Sequence, residues 1–123
     1  MTLQEIAERV VTANKTNETN ALLNELYADD AVSVEAFAMD PNQGRAAEGL
    51  DAIRGKHAWW DENMTVHSMA VEGPFLHGEY KFACIFAADA TDKTSGKRAA
   101  FREVAIYTVK DEKIVREEFF YAM

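Results

Sequence analysis

The sequence predicts an α+β fold: a curved antiparallel sheet with its helices gathered on one face. Three observations point to it. Apolar residues recur at helical spacing in three segments of the first half. Runs rich in Val, Ile, Phe and Tyr fill the second half. No repeat, low-complexity segment or linker interrupts the order, so helices followed by a long meander read as one domain over residues 1–123.

Taken in order, residues 2–14 place Leu3, Ile6, Ala7, Val10 and Val11 on one stripe, with Thr2 and Glu5 spaced as a capping box. Thr16 or Asn17 is the expected cap of a second helix whose apolar side is Leu22, Leu23, Leu26 and Tyr27, ended by Ala28-Asp29-Asp30. A short strand follows over residues 31–37, alternating Val32, Val34 and Ala36 against Ser33, Glu35 and Phe37. Residues 38–48 carry Pro41, Asn42 and Gly44 without periodicity and read as a loop able to act as a lid or rim. The third helix starts at Leu50, with Ile53, His57, Trp60 and Met64 on its stripe and Lys56, Trp59 and Asn63 beside it. Strands are then expected over 66–72, 79–89, 98–109 and 114–121, broken at Gly73-Pro74, at Thr94-Ser95-Gly96 and at Lys110-Asp111-Glu112.

The last break decides which side chains share a face. A two-residue loop, Asp111-Glu112, needs both residues at positive φ, which suits Glu112 badly; a three-residue loop asks it of Glu112 alone and is the expected form. One face then carries Phe101, Glu103, Ala105 and Tyr107 with Val115, Glu117, Phe119 and Tyr121. The other carries Arg102, Val104, Ile106 and Thr108 with Ile114, Arg116, Glu118 and Phe120. Both faces are substantially apolar, and the first holds two carboxylates without a cation.

Composition excludes several functions. A formal charge of −8 repels phosphate backbones and anionic lipid, so nucleic-acid and membrane-surface roles are not expected. No apolar run reaches the ~20 residues of a membrane span, and the N-terminus lacks a basic-then-apolar leader, so the expected location is the cytoplasm. Cys84, the one cysteine, sits among Phe82, Ala83, Ile85 and Phe86 and reads as a small core residue. There is no glycine-rich phosphate loop, Gly-x-Ser-x-Gly, paired metal histidines or cysteine nucleophile motif, so no cofactor and no metal are expected.

Leu-Tyr-Ala-Asp-Asp-Ala-Val-Ser-Val within residues 22–34, Gly-Leu-Asp-Ala-Ile-Arg-Gly-Lys-His-Ala-Trp-Trp at 49–60, and residues 104–121 around Val-Lys-Asp-Glu-Lys-Ile-Val together resemble the cone-shaped nuclear-transport-factor-like fold. Within it, the nearest resemblance is to the SnoaL-like group. That resemblance implies a conical pocket between the helices and the concave sheet face, and dimerisation through the convex face. It also implies where catalytic acids would lie: the acid of ketosteroid isomerases and limonene epoxide hydrolases aligns near Ala105, and the hydrolases' last-strand aspartate near Phe119. Neither set is present, so an enzyme of this group would use Glu103 and Glu117, one step away.

Glu103 and Glu117 are either an acid–base pair with one proton affinity raised, or carboxylates solvated at the cone mouth or tied to Arg45, Arg54, Lys56 or Lys81. The expected ligand pocket adds Glu35, Lys56, His57, Trp60, Phe101, Tyr107, Phe119 and Tyr121. Glu35 is either in the cavity or ion-paired. His57 is a hydrogen-bonded core residue or a proton carrier. Trp60 is core or an aromatic wall. Tyr107 and Tyr121 donate to a ligand oxygen or satisfy a buried carboxylate. His67 and His77 read as surface residues. The convex patch of Val104, Ile106, Ile114 and Phe120 needs a cover, and a homodimer supplies one. The expectation is a cofactor-free isomerase, cyclase or hydrolase acting on an apolar or aromatic small molecule, with Glu117 as base, Glu103 as acid or electrostatic partner, and a tyrosine as oxyanion donor. The alternatives are a binding protein without catalysis, or a dimerisation domain whose cone is filled by Trp60, Phe101, Phe119 and Met64.

Overall fold

The computed structural model describes residues 1–38 and 41–122. Among these, three helices cover one face of a curved six-stranded sheet. Helix α1 (Leu3–Lys15) opens with the expected capping box: the Thr2 hydroxyl accepts from the Glu5 amide, and the Glu5 carboxylate accepts from the Thr2 amide. Its stripe of Ile6, Ala7, Val10, Val11 and Ala13 is buried. Helix α2 (Thr19–Glu25) starts later than its expected cap at Thr16 or Asn17. Both residues are used to end α1 instead. Thr16 returns its amide and its hydroxyl to the Thr12 carbonyl, and Asn17 turns the chain at φ 58°, a region asparagine tolerates.

Strand β1 spans Tyr27–Val34, so Ala28-Asp29-Asp30 belongs to a strand and does not close a helix. Its partner is the far end of the chain. The Ile114 amide donates to the Leu26 carbonyl, and β1 runs parallel to β6 (Lys113–Phe120), an exception to the expected antiparallel sheet. Strand β2 (Ala46–Glu48) forms inside the expected loop by pairing with the end of β1; Met39 and Asp40 of that loop lie outside the described residues. Gly49, at φ 92°, then caps helix α3 (Leu50–Asn63) and donates its amide to the Ala31 carbonyl at 2.8 Å. A side chain is strained at that φ, and the bond pins the start of α3 to β1.

The rest is antiparallel: β3 (Met64–His77), β4 (Lys81–Asp92), β5 (Arg98–Lys110) and β6, in the sheet order β2-β1-β6-β5-β4-β3. Gly73-Pro74 shifts the register of β3 without ending it. On the concave face, Phe82, Cys84 and Phe86 of β4 with Ala105, Tyr107 and Val109 of β5 meet the helix stripes in one core. Cys84 is fully buried in it, as expected, and burial pushes its thiol up to about 11.

The β5–β6 turn corrects the expected loop. Lys110 pairs with Lys113, so the loop has two residues, and Asp111 and Glu112 both take positive φ, 51° and 61°. This is the geometry that matches the twist of a hairpin. The faces nevertheless come out nearly as expected, because the register shifts between Thr108, opposite Arg116, and Val109, opposite Ile114. Val115 is the extra residue. Beyond it, Tyr107 lies opposite Glu117 and Ala105 opposite Phe119, partners two residues further along β6 than a three-residue loop would give but on the same faces. Before it, the assignment changes: Ile114 joins Val109 in the core and does not lie on the convex patch.

The strained turn yields a prediction. Replacing Asp111-Glu112 by Asn-Gly should raise the midpoint of thermal unfolding by a few degrees, since both substitutes accept the left-handed region more readily. A lower midpoint in calorimetry would contradict the two-residue loop.

Candidate active site

The carboxylates and their neighbours are placed by three elements. Strand β1 brings Ser33, which pairs in register with Glu117, and then Glu35 just past its end. Strands β5 and β6 bring Glu103, Glu117 and Phe119, with Tyr121 following. Helix α3, anchored at Gly49, brings Lys56 over them two turns later.

Lys56 is the centre of the cluster. Its ammonium pairs with Glu35 Oε1 at 2.6 Å, donates to Ser33 Oγ at 2.7 Å and lies 5.3 Å from the centre of the Phe119 ring. The Tyr121 hydroxyl donates to the second Glu35 oxygen at 3.0 Å, and its ring leans on Phe37. Glu35 is thus ion-paired and held from both sides. Lys56 and Glu35 keep side-chain exposures of 28% and 22%, so the cluster is reachable from solvent.

Glu117 lies deeper, with 3% of its surface exposed, and its Oε1 has no hydrogen-bond partner among the described residues. Burial raises its proton affinity most, to about 7; Glu35 raises it too, while the Tyr27 hydroxyl and Lys56 oppose the rise. Glu103, half-buried, is also raised to about 7, first by burial, then by Glu35 and Glu117, with Lys56 opposing. The two carboxyls share one face, and the charge of Glu117 is among those that raise Glu103. An isolated buried carboxylate costs several kcal/mol, and here a proton near neutral pH relieves that cost.

The remaining expected residues divide. Trp60 meets Phe101 edge to face at 5.9 Å, and both are half-buried. Tyr107 is buried and stacked on Phe82 at 4.8 Å. His57 faces the other way: its Nδ1 is 3.1 Å from Asn20 Oδ1 of α2, and burial lowers its proton affinity. Trp59, His67 and His77 are exposed. Sequence reasoning did not single out Ser33 or Tyr27. Ser33 had a signal, since it alternates on the same face as Glu35. Tyr27 had none, because its place beside Glu117 depends on the β1–β6 pairing. Two open depressions of about 350 and 430 Å³ flank the start of α3, where both are lined by Asp29, Leu50 and Arg54; neither borders Glu103 or Glu117. Among the described residues no group of His, Cys, Asp and Glu is arranged to hold a metal ion, and no helix is long and apolar enough to cross a membrane.

Residues 1–121 match the SnoaL-like domain family. The chain belongs to that family. A solved structure of a candidate SnoaL-like polyketide cyclase from Mesorhizobium loti, also named carbohydrate phosphatase, is 38% identical, with 98% of this chain and 100% of that one covered at a TM-score of 0.90. A candidate isomerase from Bacillus subtilis shares the fold at 15% identity, covering 96% and 84% of the two chains at a TM-score of 0.76. So does a protein of ketosteroid isomerase-like fold from Catenulispora acidiphila, solved with trimethylamine, at 20% identity, 100% and 88% coverage and a TM-score of 0.74. Among curated proteins, none matches this chain. As a SnoaL-like protein it has the α+β cone architecture.

The raised carboxyls of this SnoaL-like domain tie stability to pH. The unfolded chain loses each proton near the ordinary value of 4.5, whereas the folded protein holds it to about 7. Between these values the folded state binds more protons, so stability falls as pH rises. The contribution is intact below about pH 4.5 and lost above 7. For Glu117 the loss is on the order of 3 kcal/mol. Denaturant titrations should therefore find Glu117→Gln more stable than wild type at pH 8 and much closer to it at pH 5. A constant difference across that range would show that Glu117 does not titrate abnormally.

Proposed function

We propose that this SnoaL-like protein is a cofactor-free acid–base catalyst of the isomerase, cyclase or hydrolase type, acting on an apolar or aromatic small molecule bound against the concave face. The observation that carries this reading is the pair Glu103 and Glu117, both with proton affinities near neutrality, with one Glu117 oxygen left unpartnered in the interior. Because an ionised Glu117 opposes the ionisation of Glu103, the pair at neutral pH favours one proton between two carboxyls, a base beside an acid. Glu117 takes the role of base, and Glu103 that of acid or electrostatic partner. Half-buried Trp60, Phe101 and Phe119 offer apolar surface to the ligand. The 38% identical candidate polyketide cyclase is in keeping with carbonyl compounds with abstractable protons as the substrate class.

Proton abstraction next to a carbonyl is detectable without knowing the product. Aryl ketones and cyclic enones incubated with the protein in D2O should exchange their α-protons, as followed by NMR. Glu117→Gln should remove that exchange while ligand affinity stays within about tenfold, or ~1.4 kcal/mol. If ligands bind saturably without exchange, and Glu117→Gln weakens binding alone, the protein is a binding module. If no small molecule raises its melting temperature, the cone is a filled scaffold.

A homodimer through the convex face is part of the same proposal. Phe120 is 46% exposed beside Val104, with Ile106 and Ile85 adjoining. The ion pairs Arg102–Glu72 and Arg116–Glu118 flank this patch with both signs of charge, as a self-complementary surface requires. Light scattering should give twice the chain mass for wild type and the single-chain mass for Phe120→Asp; a monomeric wild type would end the dimer proposal.

A further inference from the structure

We propose that the ammonium of Lys56 is the oxyanion-binding group of this site, donating a hydrogen bond to the ligand oxygen on which negative charge develops. The inference rests on the acid–base reading above and names the electrophilic element that reading lacks. Abstracting a proton from carbon next to a carbonyl moves the C–H electron pair into a new C=C bond and the carbonyl π pair onto oxygen. The base becomes a carboxylic acid, and the substrate becomes an enolate. Returning the proton to carbon restores both. Throughout, the enolate oxygen needs a fixed donor.

Donor inventory points to Lys56. An ammonium has three N–H bonds. Glu35 Oε1 and Ser33 Oγ take two of them, and among the described residues no third acceptor is bonded. The two bonds fix the nitrogen over the Phe119 ring, which is no hydrogen-bonding oxygen, and Glu35 is itself fixed by Tyr121, so the third N–H is left for a ligand oxygen on a group that solvent can reach. Lys56 is close enough to Glu103 and Glu117 to act on both electrostatically. The tyrosines that the sequence offered for this role are placed otherwise: the Tyr121 hydroxyl donates its hydrogen bond to Glu35, and Tyr107 is buried with its ring stacked on Phe82. The competing account is that Lys56 only ties α3 to β1, one ion pair among several.

A phenol is an enolate mimic whose ionisation is visible, so 4-nitrophenol separates the two accounts. Wild type should bind the phenolate in preference to the phenol. Lys56→Met should lose about tenfold or more in phenolate affinity while phenol affinity changes less than threefold, and Lys56→Arg should keep most of the preference. Removing Lys56 also leaves Glu35 unpaired, so the double variant Lys56→Met/Glu35→Gln is the control. It should still lack the preference; if it recovers it, the loss came from the Glu35 charge and the proposal falls. Wild type that binds neither form, or both equally, overturns it as well. Should Lys56→Met misfold, the double variant and Lys56→Arg still decide the matter. In the deuterium assay, exchange at wild-type rate in Lys56→Met, but none in Glu117→Gln, would overturn the Lys56 role and leave the acid–base reading intact. A phenolate preference that depends on Lys56 without any exchange in wild type would do the reverse.

Discussion

Val115 is the extra residue between two rungs of the β5–β6 ladder, and what the concave face contains depends on it. With a two-residue turn and no bulge, Tyr107 would stand opposite Arg116, and Glu117 would point to the convex side. With a three-residue turn, Ile114 would leave the core. The bulge satisfies both demands within four residues: Ile114 is fully buried, and Glu117 still faces the helices. The same strand pairs on its other edge with β1, setting Ser33 beside Glu117. Lys56 then needs only the fixed start of α3 at Gly49 to arrive over Ser33 and Glu35. One register decision thus sets the core and the site together.

That arrangement carries an electrostatic cost which shapes the chemistry. The cluster has three carboxyls and one ammonium. Lys56 and Glu35 neutralise each other at contact distance, and Lys56 also lowers the proton affinity of Glu103 and Glu117. Burial outweighs that help for both. Glu117, enclosed and with an unpartnered oxygen, could be made more comfortable by a hydrophobic residue of similar size, so stability alone does not explain its presence. Perturbed acids in one concavity are what acid–base sites are built from.

Much of this was legible in the sequence where the signal is local or periodic. The Thr2–Glu5 spacing gave the first cap, the apolar run around Cys84 placed it in the core, and the placing of Glu103 and Glu117 on one face followed from side-chain alternation. What was not legible depends on contacts far along the chain. Asp29 and Asp30 look like the end of a helix, and lie within a strand because β6 returns to pair with Tyr27 and Val32 on either side of them. Ala46–Glu48 has no strand pattern and forms one because β1 leaves an edge. The hairpin shows a subtler failure: steric reasoning disfavoured positive φ at Asp111 and Glu112, yet strand twist overrode it, and the bulge then restored most of the faces inferred from the wrong loop.

Helix α3 shows why the site's cation was easy to undervalue. Its stripe, read for hydrophobicity, runs Leu50, Ile53, His57 and Trp60, with Lys56 to one side. Only Leu50 and Ile53 are buried; beyond them Lys56 and Trp60 are half-buried toward the sheet and His57 is half-buried toward α2. A helix whose inner face turns polar after one turn packs poorly as pure core. It is stable here because Lys56 finds Glu35 and Ser33, and His57 finds Asn20. The change from apolar to polar along that face marks where the core ends and the site begins. It falls at the level of Glu35 because Gly49 ties the helix to β1 seven residues earlier. The backbone bond at Gly49, more than any feature of Lys56 itself, is what makes a surface-type residue part of the interior chemistry.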